Sequence, residues 1–429
     1  MRIAYLTGTY PRATDTFIQR EVAGLRSQGV EVHTFAVRRP SDDHIVGPEQ
    51  ASERSQTFYI LPPKIAILLK AHGSLFLRSP GRYLRAIALA LKTRQPDLTG
   101  LLYQLFYFLE AGVLAAQIRE RQISHLHNHF GNTSCSVAML AAALGGFSYS
   151  FMLHGPAIFF EPNRWCLDEK IERASFVTCI SQYCRSQAMV FAPYETWNRL
   201  HIVHCGVNPA QFSQVTHQGA GHRLLFVGRL AAVKGLPMLL ESVSQLKAKI
   251  PNILLTVVGD GPDRALLESL TTQLDLTEQV NFVGYQSQAA VRRYLQETDV
   301  FVLPSFAEGV PVVLMEAMMS GVPVVATQIA GVSELVEDSV SGFLVPPSSV
   351  SELCDRIRTL LIDGELRRRF GAQGMARVRE QFDISKEAEK LAQLMAAVTA
   401  QQEPSKILMP ASQNRETGES STPVLTPSR

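Results

Sequence analysis

The sequence predicts an α/β protein built from two doubly wound domains. Its 429 residues exceed what one ordinary core holds, and 46% of them are hydrophobic, as in soluble globular proteins. Apolar, β-branched runs alternate with helical runs, which is typical of parallel sheets covered by helices on both faces. This alternation occurs twice, on either side of a polar and patternless segment at residues 210–222.

The first series of elements defines a domain over residues 1–209, followed by a linker at 210–222. It opens with the strand "RIAYLT" and the helical run "DTFIQREVAGLRSQG". In that helix Thr16 and Gln19 fit a capping box, and Gly29 fits a left-handed C-terminal stop. The later strands are predicted to be "VEVHTFAV", "ISHLHNHF", "SYSFML", "SFVTCIS" and "LHIVHCG".

The second series defines a domain over residues 223–380. Its predicted strands are "RLLFVGRL", "ILLTVVGDG", "QVNFVGY", "DVFVLPS", "VPVVAT" and "SGFLVPP". Residues 381–400 are predicted to form a helix that packs back on the first domain, and residues 401–429 a disordered tail. Ligands of doubly wound sheets bind at the carboxyl ends of the strands, so we expect the site in the loops there.

Charge and cysteine content argue against several classes of protein. A formal net charge of +2 gives no general attraction to nucleic acid. The six cysteines show no C-x-x-C spacing, which favours reduced thiols over a disulfide framework. The opening "MRIAYLTGTYP" lacks the features of a signal peptide, and no run of about 18 apolar residues predicts a membrane span. We therefore expect a cytoplasmic protein.

A basic segment at residues 64–94 has two possible interpretations. No acidic residue occurs between Arg54 and Asp97, and basic residues are interleaved with apolar runs. Such a segment is typical of binding to an anionic membrane surface. It also fits a helical insertion that packs on the first domain and exposes a solvated basic face. The basic residues are Lys64, Lys70, Arg78, Arg82, Arg85, Lys92 and Arg94.

The stretch "FVGRLAAVKG" places Arg229 and Lys234 in the loop after the first strand of the second domain. An arginine fork and a lysine point charge at the end of a strand suit a ligand with two adjacent phosphates. Solvated charges on a surface loop are the other interpretation.

The stretch "PSFAEGVPVVLMEAM" ends a strand and opens a helix. Pro311 fits the first helical position, so the N–H groups of Gly309 and Val310 would form an anion site at the helix start. Glu308 and Glu316 cannot bind phosphates, because like charges repel. We therefore expect them to accept hydrogen bonds from sugar hydroxyls, unless they are a helix-start charge and a solvated side chain.

Together, "FVGRLAAVKG", "VVGDGP", "PSFAEGVPVVLMEAMMSGVPVVAT" and "GVSELVEDSVSGFLV" resemble the C-terminal half of family-4 retaining glycosyltransferases, which have the GT-B fold. "TDTFIQREVAGLRSQGVEV", "HNHFGN" and "FMLHGPAIF" are similar to the exopolysaccharide and colanic-acid subgroup. The resemblance covers roughly residues 1–395. One departure is Thr14-Asp15, where the subgroup usually shows Ser-Glu.

The resemblance implies a role for each matching residue. In the E-x7-E motif, Glu308 would bind the donor sugar near the reacting carbon, and Glu316 would bind the ribose of the nucleotide. His154 would face the donor sugar from the first domain. The donor diphosphate would be bound by Arg229, Lys234, Gly309, Val310 and Gly8, the last expected in the loop after the first strand.

The implied activity is retaining transfer of a sugar from a nucleotide diphosphate sugar to a glycan or a polyprenyl-diphosphate-linked acceptor, in cell-surface or exopolysaccharide synthesis. No covalent nucleophile stands out, which favours a front-face substitution. The alternative is a non-catalytic GT-B-like nucleotide-sugar-binding partner of a polysaccharide assembly complex. A dinucleotide-dependent oxidoreductase is disfavoured, because "VVGDGPDRA" lacks the third glycine of G-x-G-x-x-G.

The run "HLHNHF" places His125, His127 and His129 on one face of a strand, where three imidazoles could bind zinc. Three neighbours on a single strand rarely give tetrahedral geometry, so we favour an acceptor-side surface formed by His127, Asn128 and His129. The chain has no Asp-x-Asp pair to hold a divalent cation on the donor. We therefore expect neither a metal nor a cofactor.

Overall fold

Two parallel sheets organise the computed structural model, which describes residues 1–214 and 221–402. The first sheet has the strand order β3-β2-β1-β4-β5-β6-β7, and all of its pairs are parallel. Its elements are β1 (Arg2–Thr9), α1 (Thr16–Ser27), β2 (Glu31–Arg38), α2 (Pro48–Gln56), β3 (Phe58–Tyr59), α3 (Ile65–Arg78), α4 (Pro80–Lys92), α5 (Leu98–Glu120), β4 (His125–His129), α6 (Thr133–Gly145), β5 (Ser148–Leu153), α7 (Ala157–Phe160), α8 (Leu167–Arg173), β6 (Val177–Cys179), α9 (Gln182–Phe191) and β7 (Leu200–Ile202).

The second sheet has the order β10-β9-β8-β11-β12-β13, again with parallel pairs. Its elements are β8 (Arg223–Val227), α10 (Leu236–Lys247), β9 (Leu254–Val258), α11 (Arg264–Gln273), β10 (Val280–Gly284), α12 (Gln288–Gln296), β11 (Val300–Leu303), α13 (Val312–Met319), β12 (Val324–Thr327), α14 (Val332–Leu335), β13 (Gly342–Val345), α15 (Val350–Ile362), α16 (Gly364–Gln381) and α17 (Ile384–Thr399). The central strands β11 and β12 are buried throughout, as their apolar runs predicted, and so is β4, although its residues are mostly polar. The doubly wound fold class is confirmed.

The chain crosses between the two domains near Val207 and again near Phe382, and these two crossings lie side by side. The Val207 amide donates to the Phe382 carbonyl, and the Ile384 amide donates to the Val207 carbonyl, both at 3.0 Å. Helix α17 then packs on α1, where a Cβ on Gly24 would lie 2.8 Å from the Cβ of Ala388. Residues 215–220 of the predicted linker, and the predicted tail from residue 403, lie outside the described residues.

The two ends of helix α1 differ in how well the sequence predicted them. The predicted capping box is wrong: Asp15 precedes the helix without a side-chain cap, and the Gln19 amide donates to the Arg12 carbonyl at 3.0 Å. The predicted stop is confirmed, because Gly29 has a φ of 78°. Local spacing fitted a capping box, but the preceding loop offered Gln19 a different acceptor.

The basic segment forms helices α3 and α4, which pack on α5 and α6 of the first domain. More than half of the exposed large apolar side chains among the described residues lie between Ile65 and Phe106. By length and composition α5 could cross a membrane, although half of its most apolar stretch is buried inside the protein. A packed insertion therefore presents an outer face that is both apolar and basic.

Candidate active site

The loop after β8 brings Lys234 to the end of β11. Lys234 closes a short 3-10 turn, and the following Gly235 has a φ of 64°. A Cβ there would lie 2.1 Å from the Pro304 carbonyl oxygen, so glycine allows the two loops to touch. As a result Lys234 Nζ lies 2.5 Å from Glu308 Oε1, and Ser305 Oγ donates to the same oxygen at 2.7 Å.

This ion pair is partly enclosed, with side-chain exposures of 21% for Lys234 and 10% for Glu308. An ammonium group has three donors, so two remain for other acceptors. Arg229 precedes Lys234 in the same loop, and its side chain is exposed. Among the described residues, this side chain forms no ion pair or hydrogen bond. The loop thus offers one cation held against Glu308 and one without a partner in this part of the chain.

The backbone before α13 offers unpaired donors. The helix begins at Val312 with Pro311 as the N-cap, one residue later than predicted. Within residues 1–214 and 221–402, the N–H groups of Gly309 and Val310 have no hydrogen-bond acceptor. Free N–H groups at a helix N-terminus favour anions.

His154 follows β5 and meets this loop through its backbone. A Cβ on Gly309 would lie 1.9 Å from the His154 carbonyl oxygen, so only glycine fits there. The imidazole turns into the first domain: Nε2 lies 2.8 Å from His129 Nδ1, and Nδ1 lies 3.6 Å from Cys205 Sγ. Burial holds the pKa of His154 well below its usual range, which favours the neutral ring. An imidazole contact with the donor sugar stays a prediction.

The expectation that His127, Asn128 and His129 line the cleft is wrong, because all three are fully buried. They belong to β4, a central strand whose faces are covered by helices. Ser150 Oγ lies 2.7 Å from His127 Nδ1, and burial lowers the pKa of His129 to about 3.

The histidines do not form the trio considered as a zinc site. Both ring nitrogens of His125 contact serine hydroxyls, at 2.8 Å from Ser148 and 2.7 Å from Ser150. Among the described residues, the set that could bring three metal ligands together is instead Glu21, His127 and His129, whose ligand atoms lie within 4.8 Å of one another.

Glu21 was not predicted as a site residue from the sequence. Its Oε1 accepts a hydrogen bond from the Tyr5 hydroxyl and lies 3.2 Å from His129 Nε2. Burial raises the pKa of Glu21 above its usual value, against the opposing effect of nearby His127. The available signal was a carboxylate on the apolar face of α1, beside Ile18 and Val22.

Glu316 meets the first domain instead of solvent. Its Oε1 accepts a hydrogen bond from Arg20 Nη2, and the same nitrogen donates to Gln288 Oε1 at 2.9 Å. The Glu316 side chain is 13% exposed. Arg20, on α1, was also missed, because nothing in the helical pattern shows which polar residues face another domain.

Gly8 was predicted to lie in the loop after the first strand, but it is a residue of β1 itself. A Cβ on Gly8 would meet no atom within 4 Å. Glu334, in α14, accepts hydrogen bonds from the backbone amides of Gln182 and Tyr183, at 2.7 and 2.8 Å. The second domain thus also contacts the start of α9.

Comparison with known proteins shows what this chain is similar to. The sequence profile described as "Glycosyl transferases group 1" matches residues 208–377, which include every second-domain residue of the site. The second domain is similar to group 1 glycosyltransferases. The chain is 27% identical over 392 residues to the amylovoran biosynthesis glycosyltransferase AmsK of Erwinia amylovora, covering 82% of this chain and 89% of that one. It is 26% identical over 385 residues to WcaL of Salmonella typhimurium, named for colanic acid biosynthesis, covering 83% and 90%.

Solved structures show the same fold at low identity. Sucrose-phosphate synthase from Thermosynechococcus elongatus superposes with a TM-score of 0.73 at 19% identity, covering 94% of this chain and all of that chain. HepE from Anabaena, solved in complex with UDP, gives a TM-score of 0.69 at 18% identity, covering 92% of this chain and 100% of that one. The GT-B fold is confirmed, and a non-catalytic binding partner is not favoured.

Proposed function

We propose that this protein is a glycosyltransferase that transfers a sugar from a nucleotide diphosphate sugar, with retention of configuration, in the synthesis of a surface polysaccharide. The observation that carries the proposal is the cluster at the start of α13, where Lys234, Glu308 and two free N–H groups meet. The relatives named for amylovoran and colanic acid biosynthesis support the pathway class. HepE structures with UDP and UDP-glucose support a nucleotide-sugar donor.

The geometry supports a division of labour along the donor. The N–H groups of Gly309 and Val310, with Lys234 and Arg229, would neutralise the departing diphosphate. Lys234 also contacts Glu308, so one ammonium can join the diphosphate end to the carboxylate that would orient the sugar. Such preorganised charges stabilise the transition state most in an enclosed site.

We further propose that transfer needs no metal ion. The sequence lacks an Asp-x-Asp pair, and the cations named above can balance the diphosphate. A front-face substitution fits a site whose conspicuous carboxylate, Glu308, is already bound by Lys234 and Ser305.

A donor screen tests the proposal directly. UDP-, GDP-, ADP- and dTDP-sugars are added to the protein, and thermal unfolding is followed. A donor at a hundred times its Kd adds about 2.7 kcal/mol to the free energy of unfolding. The stabilising donor is then incubated with glycan and polyprenyl-diphosphate-linked acceptors, and the anomeric configuration of the product is read by NMR. Stabilisation by none of these donors, or an inverted product, would contradict the proposal.

We also propose that helices α3 to α5 hold the enzyme on the inner face of the plasma membrane. The seven basic residues of segment 64–94 are all exposed. Leu77, Ile65 and Leu98 are 81%, 77% and 74% exposed on the same helices. Large apolar side chains beside cations fit the interface of an anionic bilayer. A lipid-linked acceptor would give this surface a purpose.

Vesicle co-sedimentation tests the membrane surface. Binding to anionic vesicles should weaken steeply as salt rises, because each Lys or Arg contributes about 1 kcal/mol near such a surface. Leu77→Ser combined with Leu98→Ser should reduce binding, whereas the exposed Leu266→Ser on the second domain should not. Equal binding to neutral vesicles, or none to either, would leave α3 to α5 as a packed insertion only.

A further inference from the structure

Arg20 is a first-domain residue at the nucleotide end of the proposed donor site. Its side chain is only 10% exposed. The guanidinium reaches across the cleft, where Nη2 donates to Gln288 Oε1 at 2.9 Å and to the Glu316 carboxylate. Both acceptors belong to the second domain, at the start of α12 and within α13.

We propose that Arg20 is a positioning residue of the donor site, which orients the Glu316 carboxylate for the ribose hydroxyls of a nucleoside diphosphate. This inference rests on the proposed function, because it takes Glu316 as the ribose acceptor.

The contact leaves Glu316 able to bind a ligand. A carboxylate has about four acceptor positions on its two oxygens. Arg20 uses Oε1, and Oε2 has no hydrogen-bond partner in the described part of the chain. A charge-assisted bond from a planar guanidinium fixes the direction of the carboxylate before the ligand arrives. Preorganisation of this kind lowers the cost of ordering a side chain on binding.

The placement of Arg20 is poorly explained by stability alone. Its Nε and Nη1 atoms are buried and have no acceptor within residues 1–214 and 221–402. Buried donors without acceptors are costly. A guanidinium held there with incomplete hydrogen bonding is better explained by what it does to Glu316.

One consequence concerns the two domains. Arg20 lies on α1 and Glu316 on α13, so the preorganised ribose acceptor exists only when the domains face each other as they do here. Nucleotide affinity therefore depends on the arrangement of the domains through this pair.

Calorimetry with a nucleotide and its nucleoside tests the role of Arg20. The probes are UDP and uridine, or GDP and guanosine if the donor screen selects guanine nucleotides. In Arg20→Gln we expect the Kd of both probes to rise about tenfold, equivalent to 1.4 kcal/mol, because both contain the ribose. Arg20→Lys, which keeps one donor, should show a smaller rise. The matched control is Arg26→Gln on the same helix, whose partner Glu53 lies in the first domain.

A double-variant cycle distinguishes failure of the Arg20 proposal from failure of the ribose role proposed for Glu316. If Arg20 acts through Glu316, Arg20→Gln should change Kd little in a Glu316→Gln background. Full additivity would overturn the proposal, as would tighter binding or a loss confined to the diphosphate, which would indicate a charge effect. If Glu316→Gln alone leaves both Kd values unchanged, the ribose role of Glu316 fails first. Thermal unfolding without nucleotide checks that each variant is folded.

Discussion

Replacing Glu308 by Gln is the most direct test of how the site divides its work. In the structure Glu308 Oε1 accepts from Lys234 Nζ at 2.5 Å and from Ser305 Oγ at 2.7 Å. An amide oxygen can accept both bonds, so the loop should keep its shape. The change removes one negative charge from a side chain that is 10% exposed.

Two opposite effects are expected from this single charge. Loss of one preorganised electrostatic group typically lowers kcat by about 10²–10³, or 2.7–4 kcal/mol. The free nucleoside diphosphate, in contrast, loses a repelling neighbour. A carboxylate charge about 8 Å from a phosphate charge would repel it by about 2 kcal/mol at an effective dielectric constant of 20. The Lys234 ammonium already offsets part of the Glu308 charge, which reduces this to about 1 kcal/mol. Nucleoside diphosphate binding should therefore be unchanged or up to about fivefold tighter.

Steady-state transfer and calorimetry with UDP measure the two effects separately. Glu316→Gln should do the reverse, weakening nucleotide binding by about 1.5–3 kcal/mol, the range for hydrogen bonds to charged groups. Glu297→Gln, an exposed carboxylate in the same domain, is the matched control. If Glu308→Gln weakened UDP binding as much as Glu316→Gln does, the assignment of the two glutamates to opposite ends of the donor would be wrong.

Three further predictions concern catalysis, metal and pH. Lys234→Ala should lower kcat about a hundredfold, as measured by steady-state transfer; an unchanged kcat would assign Lys234 to the protein surface. Transfer should continue in EDTA, and activity restored only by Mg²⁺ or Mn²⁺ would refute metal independence. Burial raises the pKa of Glu110 in α5 to about 7, against about 4.3 in the unfolded chain. The folded state therefore holds the proton between these values, and the free energy of unfolding should fall by about 3 kcal/mol as pH rises through that window. Urea unfolding at pH 5 and 8 should show this fall in the wild type and not in Glu110→Gln. An equal fall in the free energy of unfolding of both proteins would contradict the prediction.

The sequence alone determined the two doubly wound sheets and the loops that form the candidate site. Apolar runs of strand length predict strands that are buried on both faces, because the run is a local property of each segment. The loops carrying Arg229, Lys234 and Glu308 could be named because parallel strands bring their carboxyl ends to one edge of the sheet. The same reasoning found the free N–H groups before α13, with an error of one residue in the start of the helix.

Only the tertiary structure decided which polar side chains meet one another. Periodicity shows which face of a helix is polar, but Arg20 faces Glu316 because two domains come together, and Glu21 is buried because α1 covers β4. His129, which sequence reasoning placed at the cleft, lies beneath it. Contacts between residues hundreds of positions apart depend on how complete domains pack, and no local pattern encodes that.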